Sequence, residues 1–173
     1  MSRGGGNSCA CACSCTCWSR SDGDPVINEL LDLWACLRAA HHLYWTLHWQ
    51  SKGSQFYGDH LLFERLYSAR IEEIDGLAEI IAGHYGAGQL DPTKAWAAAS
   101  AKVAAGVKLN NAVGIAEMVL KSAEIANKAV DGAGCPYPGG LQNFIQGIST
   151  NHIGDLYLLK QRFGTNATAS VSP

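Results

Sequence analysis

The 173-residue chain lacks any run of about eighteen apolar residues, so no membrane-spanning helix is expected. Its N-terminal stretch holds no apolar segment of the kind a secretory leader needs. A cytoplasmic protein with reduced thiols is the expectation that follows. Excess charge is also missing: the formal net charge is −2, which gives no global pull toward nucleic acid. No segment alternates apolar and polar residues convincingly, so strands are not expected, and no internal repeat is visible.

What is present is helical. A hydrophobic fraction of 47% and this length suit one domain with a sizeable core. Asp24-Pro25 is a helix start, with Asp as N-cap and Pro at the first helical position. From there Ile27, Leu30, Leu31, Trp34, Leu37, His41, Tyr44 and His48 recur at three- and four-residue steps, predicting a helix that ends near Ser51-Lys52-Gly53. A second helix is predicted from about Tyr57 to Tyr85, with Leu62, Leu66, Ile74, Leu77 and Ile81 on one stripe and Gly86 and Gly88 as its stop. Asp91-Pro92 repeats the capping device before a short Ala-rich helix over about 92–104. A third long helix is expected over about 109–131, with Val113, Ala116, Leu120, Ala123 and Val130 in the core and Gly132 and Gly134 at its end. A last one is expected from about Leu141 to Phe163. The predicted fold class is all-α: a four-helix bundle with a short extra helix between the second and third long helices. Residues 1–22 form an arm, 23–164 the domain, and 165–173 a tail that should fray.

Five residues carry the chemistry: His48, His60, Glu64, Asp75 and Glu79. All are good ligands for a hard or borderline metal such as iron. His60 and Glu64 are four apart, as are Asp75 and Glu79, so each pair projects from one helix face. Glu64 and Asp75 are eleven apart, close to three turns, so the pairs share that face. Eleven residues rise about 16 Å along a helix, whereas a metal bonds its ligands at about 2 Å. One ion therefore does not reach both pairs within one chain. Two copies of the helix, packed antiparallel about a dyad near Arg70, would set each copy's His60/Glu64 against its neighbour's Asp75/Glu79. The bland alternative is a polar interface of His–carboxylate pairs. Three carboxylates gathered at one place argue against it, since they repel unless a cation offsets them.

This pattern, H-W at His48-Trp49, then H-x-x-x-E at His60 and Glu64, then D-x-x-x-E at Asp75 and Glu79, resembles the ferroxidase signature of Dps proteins, the mini-ferritins. Lys52-Gly53 and Phe56 fit as well, and the resemblance spans roughly residues 25–163. It implies a ferritin-like bundle with the short extra helix. It also implies intersubunit ferroxidase sites built from His48, His60 and Glu64 of one chain and Asp75 and Glu79 of its dyad mate. It further implies a dodecamer assembled from dimers, in which Fe(II) is oxidised by hydrogen peroxide or dioxygen and stored as Fe(III) mineral, protecting against oxidative stress. Glu64 stands where that family usually has Asp; the extra methylene shifts the carboxylate by about 1.5 Å. The rival di-metal enzymes of ferritin-like bundles use Glu-x-x-His pairs, and no Asp or Glu here is followed by His at the third position.

Seven cysteines are present. Cys36 falls in an apolar helical pattern and reads as a small core residue; Cys135 lies in the loop GAGCPYPGG. The other five, Cys9, Cys11, Cys13, Cys15 and Cys17, alternate in the tract CACSCTC. Three readings stand: thiolate binding of soft ions such as Cu(I) or Zn(II), disulfides to neighbouring subunits, or an inert arm. A cage whose function lies in that arm, sequestering metal without catalysis, is the alternative to a ferroxidase. DNA compaction is a further one, although only Arg3 and Arg20 precede the first helix and the C-terminal tail has no cation, so DNA binding is not favoured. Of the remaining residues, Glu72 and Glu73 read as surface charges, with Glu72, three before Asp75, also within reach of the metal ligands; His41 reads as a buried or interface histidine, with a role near the metal as the alternative, and His42 as solvent-facing. His84 and His152 read as structural, and Trp45 and Trp49 as packing, with Trp49 also placed to shield the site.

Overall fold

A computed structural model describes residues 24–104, 112–133 and 137–164. It is all-helical, with no strand among the described residues. In chain order the elements are α1 (Pro25–Gln50), α2 (Phe56–Tyr85), a 3-10 turn (Ala87–Gln89), α3 (Pro92–Ala104), α4 (Ala112–Asp131) and α5 (Gly139–Phe163). The 1–22 arm, residues 109–111, Gly134, Cys135 and the 165–173 tail lie outside the described residues.

The predicted signals act as expected. Asp24 caps α1 by accepting from the Val26 N–H at 3.0 Å, and Oδ1 of Asp91 accepts from the N–H groups of Thr93 and Lys94 at the start of α3. Gly86 ends α2 at φ 89°, a left-handed conformation that a side chain would strain.

The pairing follows from cross-helix hydrogen bonds. Three ring N–H groups on α1 reach carbonyls on α2: Trp34 to Ile74 at 3.0 Å, His41 to Tyr67 at 3.0 Å and His48 to His60 at 2.9 Å. Each seven-residue step forward along α1 is matched by seven residues back along α2, so the two helices run antiparallel in constant register. α4 runs antiparallel to α1, with Ser122 donating to Asp32 at 2.9 Å and Tyr44 to the Ala112 carbonyl. α5 runs antiparallel to both α2 and α4: Asn151 donates to Glu73, Arg162 grips Asp59, and Lys160 pairs with Glu117. α3 lies on α1, tied by Lys102 to Asp32. The direction of the four long helices is therefore up, down, down, up, and the segment between α2 and α4, which contains α3, crosses the length of the fold.

Of the predicted stripes, Leu30, Trp34, Leu37, Tyr44, Leu66, Leu77, Ile81, Val113, Ala116, Ala123 and Val130 are buried, while Leu31, Leu62 and Ile74 are partly buried. Ile115, Val119, Ile145 and Leu159, outside those stripes, join the core as well, as does Cys36. Burial, then the nearby Asp32 carboxylate, push the Cys36 thiol up to about 11, which makes it an unreactive core residue. Gly76 lets α5 come close: a Cβ there would sit 2.7 Å from Cζ of Phe144.

Four expectations are corrected. Glu73 is buried rather than a surface charge. His42 is half-buried, its ring edge-on to Trp96 of α3 at 4.5 Å. Burial, then the charges of His41 and Arg38, hold its pKa below the ordinary 6.5. Trp49 is 63% exposed and stacks on Trp45 at 4.7 Å, whereas Trp45 packs, as expected, on His41 and Tyr67. Leu120, expected in the core, is only partly buried and lines an open α4–α5 groove with Lys121 and Ile153.

Candidate metal centre

The end of α1 and the start of α2 bring His48 and His60 together. Their rings stack with centroids 3.7 Å apart at 24°. Nδ1 of His48 lies 2.9 Å from the carbonyl of His60, and Nδ1 of His60 lies 3.1 Å from the carbonyl of His48. A carbonyl oxygen only accepts, so each Nδ1 carries the proton. In the neutral rings, both Nε2 atoms are then left with a free lone pair. This is the tautomer a metal-ligating histidine needs, with the second nitrogen fixed by a backbone carbonyl. Neither Nε2 has a hydrogen-bond partner among the described residues.

Glu64 follows His60 by one turn and is exposed; Asp75 and Glu79 are exposed further along α2. None of the three makes an ion pair or hydrogen bond with a described residue. Among the described residues of a single chain, no three His, Cys, Asp or Glu side chains come together in a group that could hold a metal. One chain thus brings two of the five predicted residues into contact and leaves three as unpaired carboxylates on an outer face. The middle of that face, at Ser68, Ala69 and Ile71, is also exposed, with small or apolar side chains. Arg70, the register mark of the expected dyad, points the other way and is 1% exposed.

That inward residue heads a cluster the sequence reading missed. Its guanidinium lies 3.2 Å from Oε2 of Glu73 and 2.9 Å from Oδ2 of Asp155, and touches Nε2 of His152. Glu73 also takes a hydrogen bond from Asn151 at 3.0 Å and meets Nε2 of His152 at 3.2 Å. Burial on its own would raise the Glu73 pKa; His152, Arg70 and Asn151 together outweigh it and hold it below the ordinary 4.5. Burial keeps the His152 pKa below 6.5, against the pull of Glu73. The signal was available. Arg70 and Glu73 fill the core stripe between Leu66 and Leu77, and His152 and Asp155 fill it between Ile148 and Leu159. The interior carboxylates already have a cation, supplied by the chain itself.

Comparisons with protein-family models, with curated proteins and with solved structures find no match to this chain. No helix among the described residues is long and apolar enough to cross a membrane.

Proposed function

We propose that the chain is a Dps-type mini-ferritin: a ferritin-like four-helix bundle that oxidises Fe(II) at sites shared between subunits and stores the Fe(III) as mineral in a dodecameric cage. The observation that carries this reading is the His48–His60 pair, with both Nδ1 protons locked on carbonyls and both Nε2 lone pairs unused. Three points support it further. The up-down-down-up order with one long crossover is the connectivity of ferritin-like bundles. The carboxylates of Glu64, Asp75 and Glu79 lie on an exposed α2 face with no cation paired to them among the described residues. Apolar side chains, Trp49 at the end of α1 and Phe56, Leu61 and Ile71 on α2, are exposed at 43–63%, apolar surface that a partner would cover.

In this reading Fe(II) is the substrate. His48 and His60 bind it through borderline nitrogen ligands, and Glu64 with the second copy's Asp75 and Glu79 completes the set with hard oxygen ligands. The carboxylates favour the ferric over the ferrous ion and so promote electron loss. Each peroxide takes two electrons, one from each of two Fe(II), and is reduced to water; the ferric ions hydrolyse, release protons and deposit as oxide. The resemblance favours peroxide as oxidant, with dioxygen as the alternative, and the setting proposed is the cytoplasm, where thiols stay reduced. The Cys9–Cys17 tract adds a second metal chemistry, Cu(I) or Zn(II) bound by thiolates. DNA compaction is not part of the proposal, because the chain offers phosphate few cations.

The test is anaerobic Fe(II) titration of the purified protein, then stoichiometric peroxide while Fe(III) absorbance is followed, with the His60→Ala/Glu64→Ala variant alongside. Rapid oxidation in the wild type and its loss in the variant support the proposal. Equal slow oxidation in both would refute it and turn attention to the cysteine arm.

A further inference from the structure

Three elements meet at one corner of the fold, at the far end of α1 from His48. Asp24 caps α1, Tyr85 is the last residue of α2, and Tyr137 stands two residues before α5. All three are half-buried. Their oxygens converge. Oη of Tyr137 lies 2.6 Å from Oδ2 of Asp24 and 2.5 Å from Oη of Tyr85, and the third edge, from Tyr85 to Asp24, is 3.4 Å. Oδ1 of Asp24 accepts from the Val26 N–H, so Oδ2 is the atom that faces the phenols. Hydrogen bonds along all three edges would need three protons, and one carboxylate with two phenols supplies two.

The same triangle suits a small hard cation. Such an ion holds oxygen ligands at about 2.0–2.1 Å in octahedral geometry, which sets neighbouring ligands about 2.9 Å apart. The three edges bracket that spacing, so the oxygens match one face of an octahedron. Charge selects the ion. One carboxylate and two phenolates carry three negative charges. Phenols ordinarily keep their protons up to about pH 10, and at neutral pH they yield them to a strongly charged metal. The geometry points to a ferric-ion site formed by Asp24, Tyr85 and Tyr137. Binding makes three Fe–O bonds, releases the two phenol protons to solvent and changes no oxidation state; water completes the opposite face. Roughly 36 Å of helix rise along α1 separates this corner from His48. The site is therefore distinct from the His48–His60 pair and does not depend on the iron-oxidation reading.

The test adds Fe(III), as its nitrilotriacetate complex, to the full chain and follows the visible charge-transfer absorbance of iron bound to phenolate. The wild type is expected to develop this band at one Fe(III) per chain, with tyrosinate vibrations in its resonance Raman spectrum. Ga(III), a trivalent ion without redox chemistry here, should bleach it. Tyr85→Phe and Tyr137→Phe keep the rings and remove one oxygen each. Asp24→Asn keeps a helix-capping side chain and removes the charge. Each variant should weaken Fe(III) binding about 10–100-fold, and Tyr85→Phe/Tyr137→Phe should show no band. His60→Ala/Glu64→Ala should keep it in full. Absence of the band in the wild type would overturn the inference, as would full intensity in either single Phe variant; both results leave the His48–His60 reading standing. A band lost in His60→Ala/Glu64→Ala and kept in the Phe variants would move the ferric ion to the other site and overturn the inference too. Thiolate vibrations in place of tyrosinate would move it to the cysteine tract, with the same consequence.

Discussion

Replacing Arg70 with Leu would leave two carboxylates inside the fold with their cation gone. The side chain is 1% exposed and meets Glu73 at 3.2 Å and Asp155 at 2.9 Å, with His152 against its third nitrogen. A leucine fills part of the volume and none of the charge. Removing one member of a buried ion pair typically destabilises by about 3–5 kcal/mol, because the remaining charge is desolvated and unpaired. His152 offsets little of this, since burial keeps it neutral near pH 7. In a chain of this size each kcal/mol moves the melting temperature by about 2–4 °C, so Arg70→Leu should melt about 6–20 °C below the wild type. The assay is thermal and urea unfolding followed by circular dichroism, at fixed protein concentration because subunit association shifts apparent stability. Arg70→Leu with Glu73→Gln and Asp155→Asn should recover part of the loss, since the orphaned charges are then gone too. Iron oxidation by folded Arg70→Leu at 25 °C should be unchanged, because the cluster faces away from Glu64, Asp75 and Glu79. A melting shift under about 2 °C in the single variant would show that the guanidinium does not hold the interior carboxylates, and the account of α2 as a helix with two differently neutralised faces would fall.

Four shorter predictions follow from the same geometry. The native pKa of His152 is depressed below 6.5, so the unfolded chain takes up a proton that the native one refuses, and stability should fall as pH drops below about 6.5. Glu73, depressed below 4.5, adds a steeper loss once pH passes that value; unfolding midpoints from pH 8 to 4 check both, and a flat profile refutes them. Asp24→Ala removes the α1 N-cap and the acceptor that Tyr137 reaches at 2.6 Å, and should lower stability by about 2 kcal/mol in urea titration. Gly76→Ala forces a Cβ against the Phe144 ring and should destabilise by about 1–3 kcal/mol, with Phe144→Leu relieving it, as paired melts would show. Deleting residues 1–20 should abolish Cu(I) or Zn(II) binding by the thiols and leave peroxide-driven iron oxidation intact; loss of both activities would join the arm to the iron site.

Most of the helical frame was legible because punctuation and period agree. Asp-Pro starts α1 and α3, Gly86 stops α2, and the apolar positions of α1, α2 and α4 step by three and four. Most of the errors share one cause: a helical residue's type was read without its register. Glu73 looked like its neighbour Glu72, but it sits three residues after Arg70 and four before Leu77, on the stripe that faces the core. His42 looked exposed because the short helix that covers it contributes Trp96 from 54 residues away, a contact that no local pattern carries. Trp49 looked like packing because tryptophan usually packs, yet its position follows His48 onto the outer edge of the seam. The candidate site was legible as a ligand set and a spacing. The tautomer locks were not, because they depend on the α1–α2 register that only the folded pair displays.

The contrast between the two faces of α2 is the strongest physical argument for a missing partner. Inside, Glu73 is matched by Arg70, His152 and Asn151 and Asp155 by Arg70, and each carboxylate has a guanidinium nitrogen within 3.2 Å. Outside, Glu64, Glu72, Asp75 and Glu79 have no cation among the described residues, although the same helix places Arg65 on an exposed face. Glu72, Asp75 and Glu79 raise each other's energy by like-charge repulsion at i, i+3 and i+4 spacings. Two copies brought together without an ion would double that repulsion, so a dimer on this face is disfavoured by its acids and favoured by Ile71, Leu61 and Trp49. A divalent cation reverses the first term and leaves the second in place. Dimerisation through this face should therefore strengthen when Fe(II) or Co(II) is added and weaken on chelation. Sedimentation that shows the same association constant with and without the metal would separate the interface from the ion.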